Sequence, residues 1–423
     1  MAGAELRAVF RVREFQVVWA AELLSIAGDQ LARVALAVLV YGRTGSAAWA
    51  AATYALTFLP ALLGGVLLSG LADRHRRREV MIAADVVRAV FVAAMAIPGL
   101  PLWALCTLLV VVVLLGAPHT AAQGALLPEI LRGELYERGL AVRQITGQTA
   151  QLAGFASGGV LVAAISPSMA LLGNAVSFAL SAVLVRGGLR DRPVPATDRD
   201  DRGDAGVAAD VPAAGLSGVV AALTEIAADP RRRALVLLAW LVGWYVVPEA
   251  LAAPYADQVG AGPTVVGLLM AADPLGSVVG AWLFVRFVPA VIRARLVGVL
   301  AAGAGVPLVF CLFRPPIPLT LLLWAVSGML STAYLLQTQA SFVRATPAVG
   351  RGRAIGVAAS GIIAAQGAAV LVGGVLADHW DPATAIAVAG AVGVLLSSGV
   401  AVAWHRANRS SSEPVAATVL ASG

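Results

Sequence analysis

The chain has 423 residues, of which 59% are hydrophobic and 13% charged, with a mean hydropathy of +0.85. A soluble chain carries about a quarter of its residues as charged side chains. Here the apolar residues come in runs of about 18 or more, enough to cross about 30 Å of hydrocarbon as a helix. An ordinary soluble globular protein is thereby excluded in favour of an all-α, multi-pass membrane protein. The net charge is +6 and all 30 basic residues are arginine, but their placement explains the excess without a nucleic-acid partner.

Arg7, Arg11 and Arg13 precede the first apolar run, which is too long and too charged for a cleaved signal peptide. It is expected to remain as the first membrane helix. Twelve transmembrane helices are predicted. The first six lie near residues 16–42, 46–72, 79–98, 102–126, 140–165 and 167–186. The second six lie near 233–256, 263–285, 294–313, 317–340, 353–377 and 383–404. With both N and C termini cytoplasmic, 26 of the 30 arginines fall on the inner side. The exceptions are Arg43 and Arg314 in outer loops and Arg33 and Arg88 within helices. The positive-inside rule selects that orientation. Cys106 and Cys311 sit in apolar runs and read as small buried residues without a disulfide.

Residues 187–213 are rich in Pro, Gly and mixed charge and lack apolar periodicity, as expected of a solvated linker. The stretch 216–233, "LSGVVAALTEIAADPRRR", has helical spacing and predicts a short amphipathic cytoplasmic helix ending near Pro230. The domains expected are an N-terminal six-helix bundle (1–186), the linker with its helix (187–232), a C-terminal six-helix bundle (233–404) and a cytoplasmic tail (405–423). Six helices, a linker and six more is the pattern of two parallel repeats around a transport pathway.

Between the second and third spans the sequence reads "SGLADRHRRREVM" (69–81). A small residue, Leu-Ala-Asp-Arg and a basic cluster resemble the loop signature of the major facilitator superfamily. Asp73, Arg74, Arg77 and Arg78 match it, whereas Ser69 and Arg76 stand where the family usually has Gly. Further similarity lies in "SIAGDQLARVAL", "MIAADVVRA" and "ALLPEILRGEL", and extends over the whole chain. The departures resemble the exporter branch that includes siderophore and multidrug efflux carriers. What the resemblance implies is the major facilitator fold and a conformational latch. In it, Asp73, with Arg74 beside it, caps the eleventh helix near Arg353, and Arg77 pairs with Glu129. Such contacts would form only when the halves close on the inside. An anion at a helix N-terminus is favoured by its free N–H groups and dipole. The alternative is that the arginines, Arg76 and Arg78 above all, anchor topology and meet anionic lipid. Phe155 follows Gly154 where exporters often have Gly-Pro, and the fourth helix lacks the arginine of many drug–proton antiporters. Gly154, Gly158 and Gly159 still permit close helix approach.

Charges inside a membrane are costly and usually mark pathways. In the first helix Glu22, Ser25, Asp29 and Arg33 are spaced by 3, 4 and 4 and share one face. Asp29 is near mid-span and Arg33 one turn on, so the two read either as a fixed ion pair or as a protonatable substrate site. Glu22, nearer the end, reads as solvated. Asp273, beside Pro274 in the eighth helix, has no basic residue within a turn and suits proton coupling, or else binds backbone groups freed by the proline. Glu249 lies between Pro248 and Pro254 in an outer, wet part of the seventh helix. His119 is read as a relay or a satisfied cavity wall, and Gln337 and Gln366 as ligand contacts or helix bridges. Asp85 and Arg88, three apart, read as support for the loop signature.

No phosphate-binding loop with Lys, metal-spaced Cys/His set or soluble catalytic domain is present in the sequence, so neither enzyme activity nor a metal is expected. The expectation is a monomeric secondary transporter in a bacterial cytoplasmic membrane. It would export a small, moderately hydrophobic molecule such as a drug, antibiotic or siderophore by proton antiport, with no cofactor beyond the proton gradient. Asp29 and Arg33 in one half and Asp273 in the other would exchange protonation against substrate. A nutrient importer or uniporter and a non-transporting membrane receptor are the alternatives.

Overall fold

The computed structural model describes residues 8–68, 71–192, 216–347 and 350–409, and among these there is no β-strand. Part of the expected linker (193–215) and of the expected tail (410–423) lies outside the described residues. Contacts divide the chain into two units, Met1–Val207 with Ala252–Ala271, and Ala208–Leu251 with Ala272–Gly423.

Unit 1 opens with α1 (Arg13–Thr44), which stops where Gly45 takes a left-handed conformation and its N–H bonds Tyr41 O. The run expected as one span over 46–72 is divided. Ser46 caps α2 (Ala47–Ala55), and α3 (Leu59–Leu68) restarts with Pro60 in its first turn, where the missing N–H is tolerated. Then come α4 (Leu71–Arg74), α5 (Arg77–Met95), α6 (Leu102–Ile130), α7 (Glu134–Ala164) and α8 (Pro167–Gly188). α1 packs on α7 and α8, while α5 packs on α6 and α8. The close approaches use small residues, as lipid-embedded helices require. A Cβ on Gly154 would lie 2.9 Å from Ala27 O, and one on Gly28 would lie 2.2 Å from Ser177 Oγ.

Unit 2 begins with α9 (Leu216–Ala228) and α10 (Pro230–Trp240). The expected amphipathic helix does stop before Pro230, and Asp229 then caps the next one by accepting from Arg231 N and Arg232 N. The seventh span continues as a 3-10 turn over Leu241–Val246 and as α11 (Val247–Ala250). It ends as α12 (Ala252–Gln258), which clusters with unit 1 through a Tyr41–Asp257 hydrogen bond of 3.3 Å. Pro248 and Pro254 lie in the two short pieces, consistent with the break. α13 (Pro263–Phe287) begins in unit 1 and continues in unit 2, followed by α14 (Ala290–Val309), α15 (Ile317–Ala345), α16 (Arg351–His379) and α17 (Pro382–Arg409). A core cluster of Ile226, Leu235, Phe342, Ala354 and Trp404 joins α9 to α10, α15, α16 and α17.

Among the described residues, ten helical stretches are long and apolar enough to cross a membrane. The expected spans 79–98 and 140–165 fall on α5 and α7, which are not among them. α5 carries Arg78, Glu79, Asp85 and Arg88 within its 19 residues, and α7 carries Gln144, Gln148 and Gln151. Side chains such as Trp103, Phe313 and Leu395 are more than two-thirds exposed, which fits an apolar solvent around the helices.

The Asp229 cap yields a first prediction. Burial pushes its carboxyl up, but Arg232 and the Arg231 and Arg232 backbone N–H groups outweigh this and hold it below the ordinary value of 3.8. A lowered folded value means stability present above 3.8 and lost as pH falls through the folded value. Asp229→Ala is expected to cost about 1 kcal/mol near neutral pH, with the difference from the native chain shrinking below the ordinary Asp range. Unfolding of both proteins at neutral and acid pH checks this.

Candidate functional site

A cavity of about 660 Å³ lies inside unit 1, walled by α1, α3, α5, α6, α7 and α8. Glu22, Ser25, Asp29 and Arg33 all line it, so the shared polar face of α1 is the polar face of the cavity. Leu36, Val92, Leu109 and Val112 supply apolar wall.

The partners differ from those the spacing predicts. Asp29 is paired across the cavity with Arg88 of α5, whose Nη2 donates to Oδ2 at 3.0 Å and Oδ1 at 3.3 Å. No ion pair joins Asp29 to Arg33 among the described residues. Arg33 instead stands over the rings of Tyr54 and Phe58, 5.9 and 5.7 Å from their centroids. Rings from α2 and the segment after it provide a cation–π surface that competes with the carboxylate. Glu22 is not merely solvated either. Arg143 of α7 donates to it twice, Nε to Oε2 at 2.6 Å and Nη2 to Oε1 at 2.8 Å, and Nη2 also reaches Gln123 Oε1 at 3.0 Å.

Behind Asp29 the polar set continues inward. Asp85 is fully buried; Ser181 Oγ donates to its Oδ2 at 2.6 Å, His119 Nε2 lies 3.4 Å from the same oxygen, and Arg88 Nη1 is 3.8 Å from Oδ1. The Arg88 guanidinium lies over Phe178, 3.9 Å from the ring centroid. Asp85 and Arg88 therefore belong to the cavity network and not to the loop, a correction to the reading from spacing. His119 lines the cavity as a member of the same set. The signal available in sequence was that Arg88 stands inside a span, where an arginine requires a carboxylate partner. Arg143 gave no such signal, because it sits among the end-of-helix arginines.

At one end of unit 1 a second set of charges gathers. Arg77 bonds Glu129, and Arg192 reaches Glu129 at 3.4 Å and Glu14 at 2.7 Å. Arg77 and Glu129 both belong to unit 1, so this pair ties α5 to α6 within one unit and does not itself join the halves. Arg74 ends α4 and is exposed; the Asp73 side chain lies outside the described residues.

In unit 2, Glu249 of α11 is buried and neighbours Asp273, against the expectation of a wet outer site. Asp273 also meets the Ser277 side chain, which in turn accepts from Thr332 Oγ1 at 2.7 Å. Gln337 is buried and donates to Ser341 Oγ one turn along its own helix, at 3.1 Å. Gln366 is half-buried on α16.

A bundle of apolar helices enclosing a cavity with paired charges defines a multi-pass membrane protein built to pass a solute. Residues 18–253 match the sequence profile of the Major Facilitator Superfamily. The chain belongs to that family, whose members are transporters and not enzymes. It is 29% identical over 125 residues to macrolide efflux protein A of Streptococcus pyogenes, covering 29% of this chain and 31% of that protein. It is also 28% identical over 178 residues to an uncharacterised MFS-type transporter of Bacillus subtilis, covering 41% and 42% of the two chains. The aligned stretches thus span less than half the length of these relatives. Among solved structures, a nucleoside transporter superposes with a TM-score of 0.73 at 12% identity, covering 93% of this chain and 99% of the other. A bacterial homologue of the human lysosomal transporter Spinster, inward-facing and occupied, gives 0.68 at 14%, covering 93% and 94%. These likenesses concern the fold.

Proposed function

We propose that the protein exports a small, moderately hydrophobic molecule from a bacterial cell by proton antiport and alternating access. The observation that carries this reading is the cavity in unit 1. Its walls are apolar, yet it presents Asp29, whose side chain is 35% exposed, together with Arg33. The macrolide efflux relative supports the outward direction, and bacterial relatives support the cytoplasmic membrane as the location. α5 and α7 complete twelve spans, their charges facing partners inside unit 1. Both termini are then cytoplasmic, and the protein acts as a monomer of two six-helix halves joined by the linker. Asp273 with Glu249 forms a second acidic site, and Asp73, Arg74, Arg77 and Glu129 contribute to the latch.

Reconstitution into proteoliposomes with an imposed pH gradient and a panel of amphiphilic drugs tests the reading. Uphill movement of at least one drug against an inward proton gradient is expected, with at least a tenfold loss in Asp29→Asn. Transport indifferent to the pH gradient, or uphill uptake in the same direction as proton entry, would overturn it.

A further inference from the structure

Arg88 is placed between two carboxylates and hydrogen-bonds only one of them. Its Nη2 is committed to Asp29 at 3.0 Å, while Nη1 stops 3.8 Å short of Asp85. Asp85 Oδ1 consequently has no hydrogen-bond partner among the described residues, although Asp85 has no exposed surface. His119 Nε2 is likewise buried and without a hydrogen-bond partner, 3.4 Å from the other Asp85 oxygen. An ionised carboxylate at zero exposure needs more than the single Ser181 hydroxyl that reaches it. The pocket can supply that in two ways: a proton shared with His119, or the guanidinium moved less than 1 Å along the face of Phe178, about the difference between 3.8 Å and a hydrogen bond.

The groups around this set limit what drives the choice. From α1 come Asp29, Glu22 and Arg33; from α6, His119 and Gln123; from α7, Arg143; from α8, only the neutral Ser181 and Asn174. Glu22 is held by two bonds to Arg143, and Arg33 stands over its rings. Asp29 is therefore the carboxylate on the cavity wall with one partner that can leave.

We propose that the cavity takes an amphiphilic organic cation on Asp29, and that the cation displaces Arg88 onto Asp85 and so expels the proton shared by Asp85 and His119. Charge balances on both sides. Before binding, Asp29 is offset by Arg88, and Asp85 by the proton. Afterwards Asp29 is offset by the ligand and Asp85 by Arg88, while the proton has gone to solvent. One cation and one proton thus exclude each other without occupying the same carboxylate. This rests on the antiport reading and specifies its substrate class and its proton-holding pair.

The test uses purified full-length protein in detergent and two probes of matched shape and opposite permanent charge, tetraphenylphosphonium and tetraphenylborate. Neither titrates, so any proton released in weakly buffered solution comes from the protein. Saturable binding of the phosphonium is expected, with about one proton released per cation bound near neutral pH, and at least a tenfold weakening in Asp29→Asn. Asp85→Asn is expected to bind the cation with no proton release. His119→Gln, a milder change, is expected to shift the pH at which release occurs. Release undiminished in Asp85→Asn, no release by the native protein, failure to bind the phosphonium, or preference for the borate would each overturn the inference. Proteoliposome transport is a separate readout: a pH-driven exporter that binds cations without releasing protons keeps the antiport reading and loses this one.

Discussion

Arg88→Leu is expected to be the most damaging single substitution in the cavity network, lowering stability by about 3–5 kcal/mol, the usual cost of removing one partner of a buried ion pair. The side chain is 8% exposed, donates to Asp29, and is the only guanidinium within 4 Å of Asp85 among the described residues. A pair of unit charges at 4 Å is worth about 4 kcal/mol at an effective dielectric near 20, so distance hardly distinguishes the two carboxylates. The proton does. In the ligand-free state proposed above, Asp85 is offset by the proton it shares with His119, whereas Asp29 has Arg88 as its one ion-pair partner among the described residues. Adding Asp29→Asn to Arg88→Leu should therefore recover more stability than adding Asp85→Asn. Reversible unfolding of the purified variants in mixed micelles checks the order. If Asp85→Asn rescues better, Asp85 and not Asp29 is the costly charge.

The membrane class and the cavity-facing surface of α1 were legible in the sequence, because each rests on composition or on helical periodicity along one segment. Glu22, Asp29 and Arg33 share a face whatever their neighbours do. Their partners come from α5 and α7, and pairing across segments has no period to read. The choice of Arg33 as partner for Asp29 followed sequence proximity; in the folded unit, the rings of Tyr54 and Phe58 hold Arg33 while Arg88 approaches from the facing helix. The breaks at Pro60 and within the seventh span follow the same logic. A proline marks where a helix is weakened, but whether it bends, restarts or turns to 3-10 depends on what packs there. At Gly243 it is the backbone of α16, since a Cβ would lie 2.6 Å from Ala365 O. α5 and α7 show the converse. The expected spans 79–98 and 140–165 fall on them, yet charges such as Arg88 and amides such as Gln148 keep them below the apolarity of the other long helices.

The second large effect is expected at Gly276→Ala, in the "GSVVG" stretch of α13. A Cβ there would lie 1.8 Å from Ala325 O and 2.6 Å from Ala325 C, both backbone atoms of α15 that no rotamer change can move. Gly280, one turn on, faces Met329 O at 2.3 Å, and Gly328 of α15 faces Asp273 O at 2.4 Å. The two helices thus meet along small residues spaced by four, the arrangement that lets backbones touch where no hydrophobic force drives helices together. Inserting one methyl must push them apart. Overpacking of this kind costs about 1–3 kcal/mol, and the separation would also draw Asp273 and Ser277 from Gly328 and Thr332. Loss of stability and of transport should therefore appear together. Gly124→Ala in α6 is the matched control, because nothing lies within 4 Å of a Cβ there and an alanine gains helix propensity. Melting and transport of the two variants side by side separate a steric cause from a general intolerance of alanine. Equal behaviour would mean that α13 and α15 are free to part, and that Asp273 does not depend on their contact.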